Sequence, residues 1–169
     1  IQLAKIAGCK TIGIAGGSQK TALLREKLGV EIALDYKNTD LASDLGSAAP
    51  KGINVFFDNV GGDVLDAVLI NLAKFGRVAV CGGIGGYDKA EAVVRNTTLL
   101  TQKNGLVQGF WYSDYEHIFE RALDSMSDWV LTGELQEFTD VAKGFESVPR
   151  SVRGIFAGEN LGKQLVELS

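Results

Sequence analysis

Three apolar segments of this chain end in paired glycines: residues 11–17 (TIGIAGG), 53–62 (INVFFDNVGG) and 77–86 (RVAVCGGIGG). Each reads as a short buried strand whose carboxyl end opens into a tight turn. Segments with helical spacing lie between them. Alternation of strand and helix predicts a parallel sheet with right-handed crossovers and helices on both faces. Parallel strands bring their carboxyl ends to one edge, and ligands of open α/β sheets bind just outside that edge. Glycines there let backbone amides approach phosphate and ribose. One such pair alone reads as an ordinary turn. Three in alternation point to a dinucleotide crevice.

The rest of the chain is read around these turns. Residues 1–8 resemble the last turns of an amphipathic helix stopped at Gly8, so the helix is expected to begin upstream of Ile1. Residues 10–15 form a strand, Ser18 is the expected N-cap of the next helix, and Gly29 ends it. A strand at 31–34 closes at Asp35-Tyr36, and Thr39 or Asp40 caps a helix carrying Leu41 and Leu45. The unbroken apolar run 53–57 is that of a strand covered on both faces. Residues 63–72 are helical, Gly76 turns into a strand at 77–81, and 90–101 is ambiguous with helix preferred. A strand at 105–110 precedes the clearest helix, 114–131. Beyond it a strand is expected at 135–138, Pro149 opens a helix ending at Gly158, and 164–168 is a last strand. Residues 1–131 then form a dinucleotide-binding domain, and 132–169 a C-terminal segment.

Composition excludes several classes of function. The 169 residues suit one domain, burying about two-thirds of its unfolded surface. No apolar run approaches the roughly 18 residues that cross a bilayer, so no membrane association is expected. Net charge is −4 and the 17 basic residues are scattered, so no nucleic-acid partner is expected either. Cys9 and Cys81 are too few for a disulfide framework and sit in contexts that read as buried. They imply a reducing, cytoplasmic setting. The sole histidine, His117, reads as a surface residue of the long helix. There is no zinc-ligand spacing, no G-x-S-x-G elbow and no Walker loop. Asp63 and Asp66 read as helix-surface acids.

The strand ends carry the chemistry. No G-x-G-x-x-G leads into a helix at the right place; Gly82-Gly83-Ile84-Gly85-Gly86 comes too late. The fingerprint is expected upstream of Ile1, with the strand before it. Removing that central strand from the order 3-2-1-4-5-6 leaves two sheet fragments. An NAD site places an acid at the end of the second strand, against the ribose 2′-hydroxyl. Here the tip is Ala15-Gly16-Gly17-Ser18-Gln19-Lys20, without an acid. Glycine leaves room for a phosphate, Ser18 and the helix amides can bond it, and Lys20 supplies positive charge. The same residues also read as a plain capped helix with a solvated lysine. Asn59 reads as a ligand of a cofactor hydroxyl or as part of an Asx turn, and Tyr36 as an adenosine contact or a surface residue. The aromatics Phe110-Trp111-Tyr112 read as a nicotinamide wall or an ordinary apolar lid.

With these residues placed, the chain resembles the medium-chain dehydrogenase/reductase superfamily, and within it the zinc-independent alkenal/prostaglandin reductases, a quinone oxidoreductase-like family. The markers are QLAKIAGCKTIGIAGGSQK, LGVEIALDYK, GINVFFDNVGG, GRVAVCGGIGGY, VQGFWYSDY and GENLGKQLV, which run through almost the whole chain. The resemblance implies a Rossmann-type doubly wound parallel sheet lacking its first strand and glycine fingerprint. It also implies a C-terminal segment that returns to an absent catalytic domain. The implied activity is NADPH-dependent reduction of the C=C bond of an α,β-unsaturated ketone or aldehyde by the full-length protein, with no bound metal. The 169-residue chain alone is expected to be inactive. Lys20, with Gly16 and Ser18, is implied to meet the 2′-phosphate of NADPH/NADP. Tyr36 and Asn59 are implied on the adenosine and ribose side. The loop of Cys81, Gly82, Gly83, Ile84, Gly85, Gly86 and Tyr87 is implied beside the nicotinamide half. Phe110, Trp111 and Tyr112 are implied around the nicotinamide, and Asn160 from the C-terminal segment. Catalytic residues are not assigned, and a tyrosine found in relatives shortly after the loop is missing from residues 88–96. The implied partners are a small-molecule enone or alkenal and a second copy of the chain, as a homodimer through the nucleotide domain. A non-catalytic nucleotide-binding or structural module and a fragment of a zinc-dependent alcohol dehydrogenase stand as the alternatives.

Overall fold

The computed structural model describes residues 1–83 and 95–168. Two compact units are present, Ile1–Ala33 with Glu120–Ser169, and Leu34–Phe119. The strands fall into separate sheets: a β1–β2 pair, a three-stranded β3–β4–β5 sheet and a β6–β7 pair. The first two are the sheet fragments that the sequence led us to expect.

In the first unit, α1 (Gln2–Ile6) precedes β1 (Ile12–Ala15) and α2 (Ser18–Glu26). The cap of α2 is Gly17, not Ser18, whose side chain makes no capping bond. The cause is the backbone: Gly17 has φ +92°, a conformation open to glycine and strained for other residues, so it takes the cap position and the helix starts at Ser18, one residue earlier than the Ser18 cap signal suggests. β2 (Ile32–Asp35) pairs with β1. Further along the chain, α6 (Phe119–Leu131) carries an apolar stripe with no buried residue, and Leu123 is 61% exposed. β6 (Thr139–Lys143), a short 3₁₀ turn (Phe145–Ser147), α7 (Val148–Ala157) and β7 (Lys163–Glu167) close the unit as a parallel crossover. The strand expected at 135–138 lies instead at β6. Thr139 pairs with Lys163 and Lys143 with Glu167, while the Phe138 carbonyl accepts from the Lys163 amide at 2.7 Å just outside the ladder. A distant partner sets the register here, overriding the local apolar signal of Leu135 and Phe138.

The second unit opens with α3 (Leu41–Ala48), where Asp40 accepts a hydrogen bond from the Ser43 amide at 3.2 Å, as the cap expected of it. β3 (Ile53–Asp58), α4 (Gly62–Ile70), β4 (Leu72–Val80), α5 (Thr98–Lys103) and β5 (Leu106–Gly109) follow, with both strand pairings parallel. The core is Leu65 and Leu69 of α4 against Leu72 and Val78 of β4, with Phe56, Val80, Leu100 and Val107 around them. β4 begins at Leu72, earlier than residue 77. Ile53 pairs with Leu72 but Val55 with Arg77, so residues 73–76 are looped out within the strand, with Phe75 at φ +62°. β3 is not covered on both faces: Phe56 turns toward the core, while Val55 is 69% and Phe57 56% exposed. That outer face forms an open concavity of about 270 Å³, lined by Val55, Arg77, Ala79, Leu106, Gln108, Phe110 and Tyr115. The helix expected at 114–131 is divided, because residues Tyr112–Ile118 wind as a 3₁₀ turn and only Phe119–Leu131 is α-helical.

Two substitutions test this packing. Gly52 has φ +83°, and a Cβ there would stand 2.6 Å from the Ala73 Cα. Gly52→Ala should destabilise the fold by about 3 kcal/mol, since left-handed strain and a backbone clash add. Leu69, 1% exposed, should cost about 2–5 kcal/mol as Leu69→Ala. Urea unfolding measures both, and a loss under about 0.5 kcal/mol for either contradicts the placement.

Candidate functional site: the carboxyl ends of the strands

In the first unit β1 runs out at Gly16 and Gly17, and a Cβ at Gly17 would meet nothing within 4 Å. The corner is open, as a phosphate or ribose approach requires. The Thr21 hydroxyl donates to the carbonyls of Gly17 (3.3 Å) and Ser18 (3.0 Å), fixing the first turn of α2. Amides at such a helix start attract an anion. Lys20 is half-buried on this turn, and its Nζ lies 3.5 Å from where a Cβ on Gly158 would stand. Asn160 is two residues further on, half-buried, its Nδ2 donating to the Gly162 carbonyl at 2.7 Å. Gly16, Ser18 and Lys20 thus share one corner, and the chain approaching Asn160 touches it at Gly158.

In the second unit the three strand ends meet through Asp58, which is 0% exposed. Its Oδ1 accepts from the amides of Val60 and Gly61, both at 2.9 Å. Its main-chain carbonyl accepts from the amides of Cys81 (2.8 Å) and Gly82 (3.3 Å). The two turns are packed backbone to backbone: a Cβ on Gly82 would lie 3.6 Å from the Asn59 carbonyl oxygen, and one on Gly61 3.7 Å from the Gly83 Cα. The Phe110 amide donates to the Val80 carbonyl at 3.3 Å, which brings the end of β5 to the same place. Asn59, Cys81, Gly82, Gly83 and Phe110 are therefore gathered, with Asn59 exposed beside the Asx turn that Asp58 makes. Trp111 and Tyr112 follow, 64% and 63% exposed, with ring centroids 5.8 Å apart. Phe110 touches Phe57 at 6.0 Å and Tyr115 at 5.9 Å. Tyr36 is 40% exposed, on a turn held by Asp35, which accepts from the Lys37 amide at 3.1 Å and the Asn38 side chain at 2.7 Å. Ile84, Gly85, Gly86 and Tyr87 lie outside the described residues.

Several residues differ from their sequence reading. Both cysteines are exposed, not buried, because Cys9 follows the glycine that ends α1 and Cys81 stands just past β4. Asp66 is buried at 5% exposure. Its Oδ1 accepts from the amides of Arg95 (2.7 Å) and Asn96 (3.1 Å), and the Arg95 guanidinium reaches Asp63 at 3.1 Å and Asp66 at 3.5 Å. The signal for this clamp is an acid in the middle of an apolar helix, DVLDAVLI, since a buried carboxylate demands donors. The Asx turn offered as one reading of Asp58-Asn59 is made by Asp58, whose carbonyl tie to Cys81 and Gly82 was not foreseen and whose Oδ2 is buried without a hydrogen-bond partner among the described residues. His117 is exposed as expected, on the 3₁₀ turn and stacked at 6.5 Å on Tyr115. No group of three or more His, Cys, Asp and Glu side chains arranged for a metal occurs among the described residues, and no helix there is long and apolar enough to cross a membrane.

Comparison with known proteins places these features. The chain is 40% identical to a 2-alkenal reductase (NADP⁺-dependent) of Nicotiana tabacum over 170 residues, covering 99% of this chain and 50% of that protein. It is 36% identical to prostaglandin reductase 1 of Bos taurus over 170 residues, covering 98% of this chain and 51% of that one. The crystal structure of CurA from Vibrio vulnificus in complex with NADPH superposes with a TM-score of 0.92 at 31% identity, covering 99% of this chain and 52% of that chain. The chain thus spans about half the length of the curated relatives it matches. The zinc-binding dehydrogenase family profile matches residues 1–128. The chain belongs to that family, as the resemblance to the medium-chain dehydrogenase/reductase superfamily implied, and its fold is the family's Rossmann-like nucleotide-binding domain.

Proposed function

We propose that this chain is the NADPH-binding portion of an oxidoreductase that reduces the C=C bond of α,β-unsaturated ketones or aldehydes. The observation that carries the reading is the acid-free glycine corner at the end of β1, open at Gly17 and flanked by the half-buried Lys20. An NAD-preferring corner needs a carboxylate for the 2′-hydroxyl, and that carboxylate would repel a 2′-phosphate. The relatives named as NADP-dependent, and a solved neighbour holding NADPH, support it.

In this reading Lys20 neutralises the 2′-phosphate while Gly16 and Ser18 offer the space and the helix-start amides. Tyr36 and Asn59 take the adenosine and ribose side. Cys81, Gly82 and Gly83 present backbone to the nicotinamide half, as do Ile84, Gly85, Gly86 and Tyr87. Phe110, Trp111 and Tyr112 exclude water from the ring, and Asn160 adds a carboxamide. When bound, the reduced nicotinamide supplies a hydride for the β-carbon of the alkene, and a proton completes the α-carbon. Asp58 holds the glycine turns in place and touches no reacting atom. Residues 132–169 return toward a catalytic domain in this account. Turnover needs the remainder of a relative-length protein, so the isolated chain binds cofactor without reducing substrate.

Cofactor titration of the full-length protein should show NADPH bound more tightly than NADH. Lys20→Ala should weaken NADPH binding by roughly 1.5–3 kcal/mol, ten- to a hundredfold, and leave NADH unchanged. Equal wild-type affinities, or an unchanged Lys20→Ala, would overturn the cofactor assignment. Incubated with a panel of enones and alkenals, the full-length protein should oxidise NADPH with at least one of them; silence across the panel would favour a non-catalytic binding module.

A further inference from the structure

Lys20 does not meet solvent on all sides: the far wall of its corner is the C-terminal turn of α7. That turn is closed by hydrogen bonds from the Gly158 amide to the Ile155 carbonyl (3.1 Å) and from the Glu159 amide to the Gly154 carbonyl (2.8 Å). Gly158 itself is left-handed, φ +68°. The Glu159 carboxylate lies back along the helix, 3.3 Å from where a Cβ on Gly154 would stand. A helix C-terminus carries partial negative charge, which favours a cation placed beside it. The ammonium is 3.5 Å from the position of a Gly158 Cβ. A phosphate oxygen accepting from that ammonium sits at about 2.7–2.9 Å from Nζ. A side chain at residue 158 would therefore stand within contact range of the ammonium that the phosphate must reach.

We propose that Gly158 is a specificity-determining position for the cofactor: the side-chain-free end of α7 borders the 2′-phosphate subsite beside the Lys20 ammonium. This deepens the NADPH reading above and rests on it. The position acts on discrimination between phosphorylated and unphosphorylated adenosine and leaves the shared parts of the nucleotide untouched.

The test uses 2′,5′-ADP and 5′-AMP, which differ in the 2′-phosphate alone, in calorimetric titrations of the full-length protein. Asparagine and aspartate tolerate left-handed backbone better than other non-glycine residues, so Gly158→Asn and Gly158→Asp are the variants. A thermal melt of each checks that it folds. The wild type should prefer 2′,5′-ADP. Gly158→Asn should cut that preference at least fivefold with 5′-AMP affinity unchanged, and Gly158→Asp should cut it further. In a Lys20→Ala background Gly158→Asn should have no additional effect. A folded Gly158 variant that keeps the wild-type preference overturns the proposal, as does an equal loss with and without Lys20. A wild type that binds both nucleotides alike overturns the NADPH reading itself. Loss of preference in Lys20→Ala with none in the Gly158 variants overturns this inference alone.

Discussion

A carboxylate removed from water must be met by donors, and Asp58 shows what that demand does to a strand end. Its side chain takes the amides of its own turn, and its carbonyl takes the amides of the next strand's turn. One residue therefore fixes the spacing of Asn59, Gly82 and Gly83 to within van der Waals contact. Glycine is favoured at Gly61 by its φ of +71°, while a Cβ at Gly82 would make only an ordinary van der Waals contact with the facing turn. The aromatic end of β5 is then tied to β4 by the Phe110 amide. Asn59, Cys81, Gly82, Gly83 and Phe110 hang from this arrangement.

The first unit solves a different electrostatic problem. A 2′-phosphate needs positive potential in a place the backbone can reach. In the proposed reading the corner after β1 supplies both, through the start of α2 and through Lys20. Gly17 takes φ +92° at the end of β1, and α2 begins at the next residue, Ser18. The ammonium lies beside the end of α7, a helix whose sequence position is far from Lys20. In the reading proposed above, cofactor choice depends jointly on a glycine, a lysine and a remote helix terminus.

Much of this was legible in the residues. The strands before the glycine turns and the Asp40 cap follow from local rules and stand where those rules put them, while the acid-free tip with Lys20 is read from the residues alone. What was not legible depends on partners distant in sequence. β6 is set by its pairing with β7, so the apolar Leu135 and Phe138 misdirect. The coverage of β3 depends on which helix lies over which face, and an unbroken apolar run is silent on that; Val55 and Phe57 are left exposed. Cys9 and Cys81 have apolar neighbours in sequence but stand just past element ends, where the chain turns outward. Asp66 reads as a surface acid until Arg95 and Asn96, some thirty residues on, are seen to donate to it. The proximity of Lys20 to Gly158 belongs to the same class.

The central claim is that phosphorylated adenosine is gripped at the glycine corner by Lys20. A crystal structure of the full-length protein with NADPH tests it most directly. The account predicts the 2′-phosphate within hydrogen-bonding distance of the Lys20 ammonium and the amides that open α2. A 2′-phosphate bound away from Lys20, with the corner after β1 left empty, would contradict it.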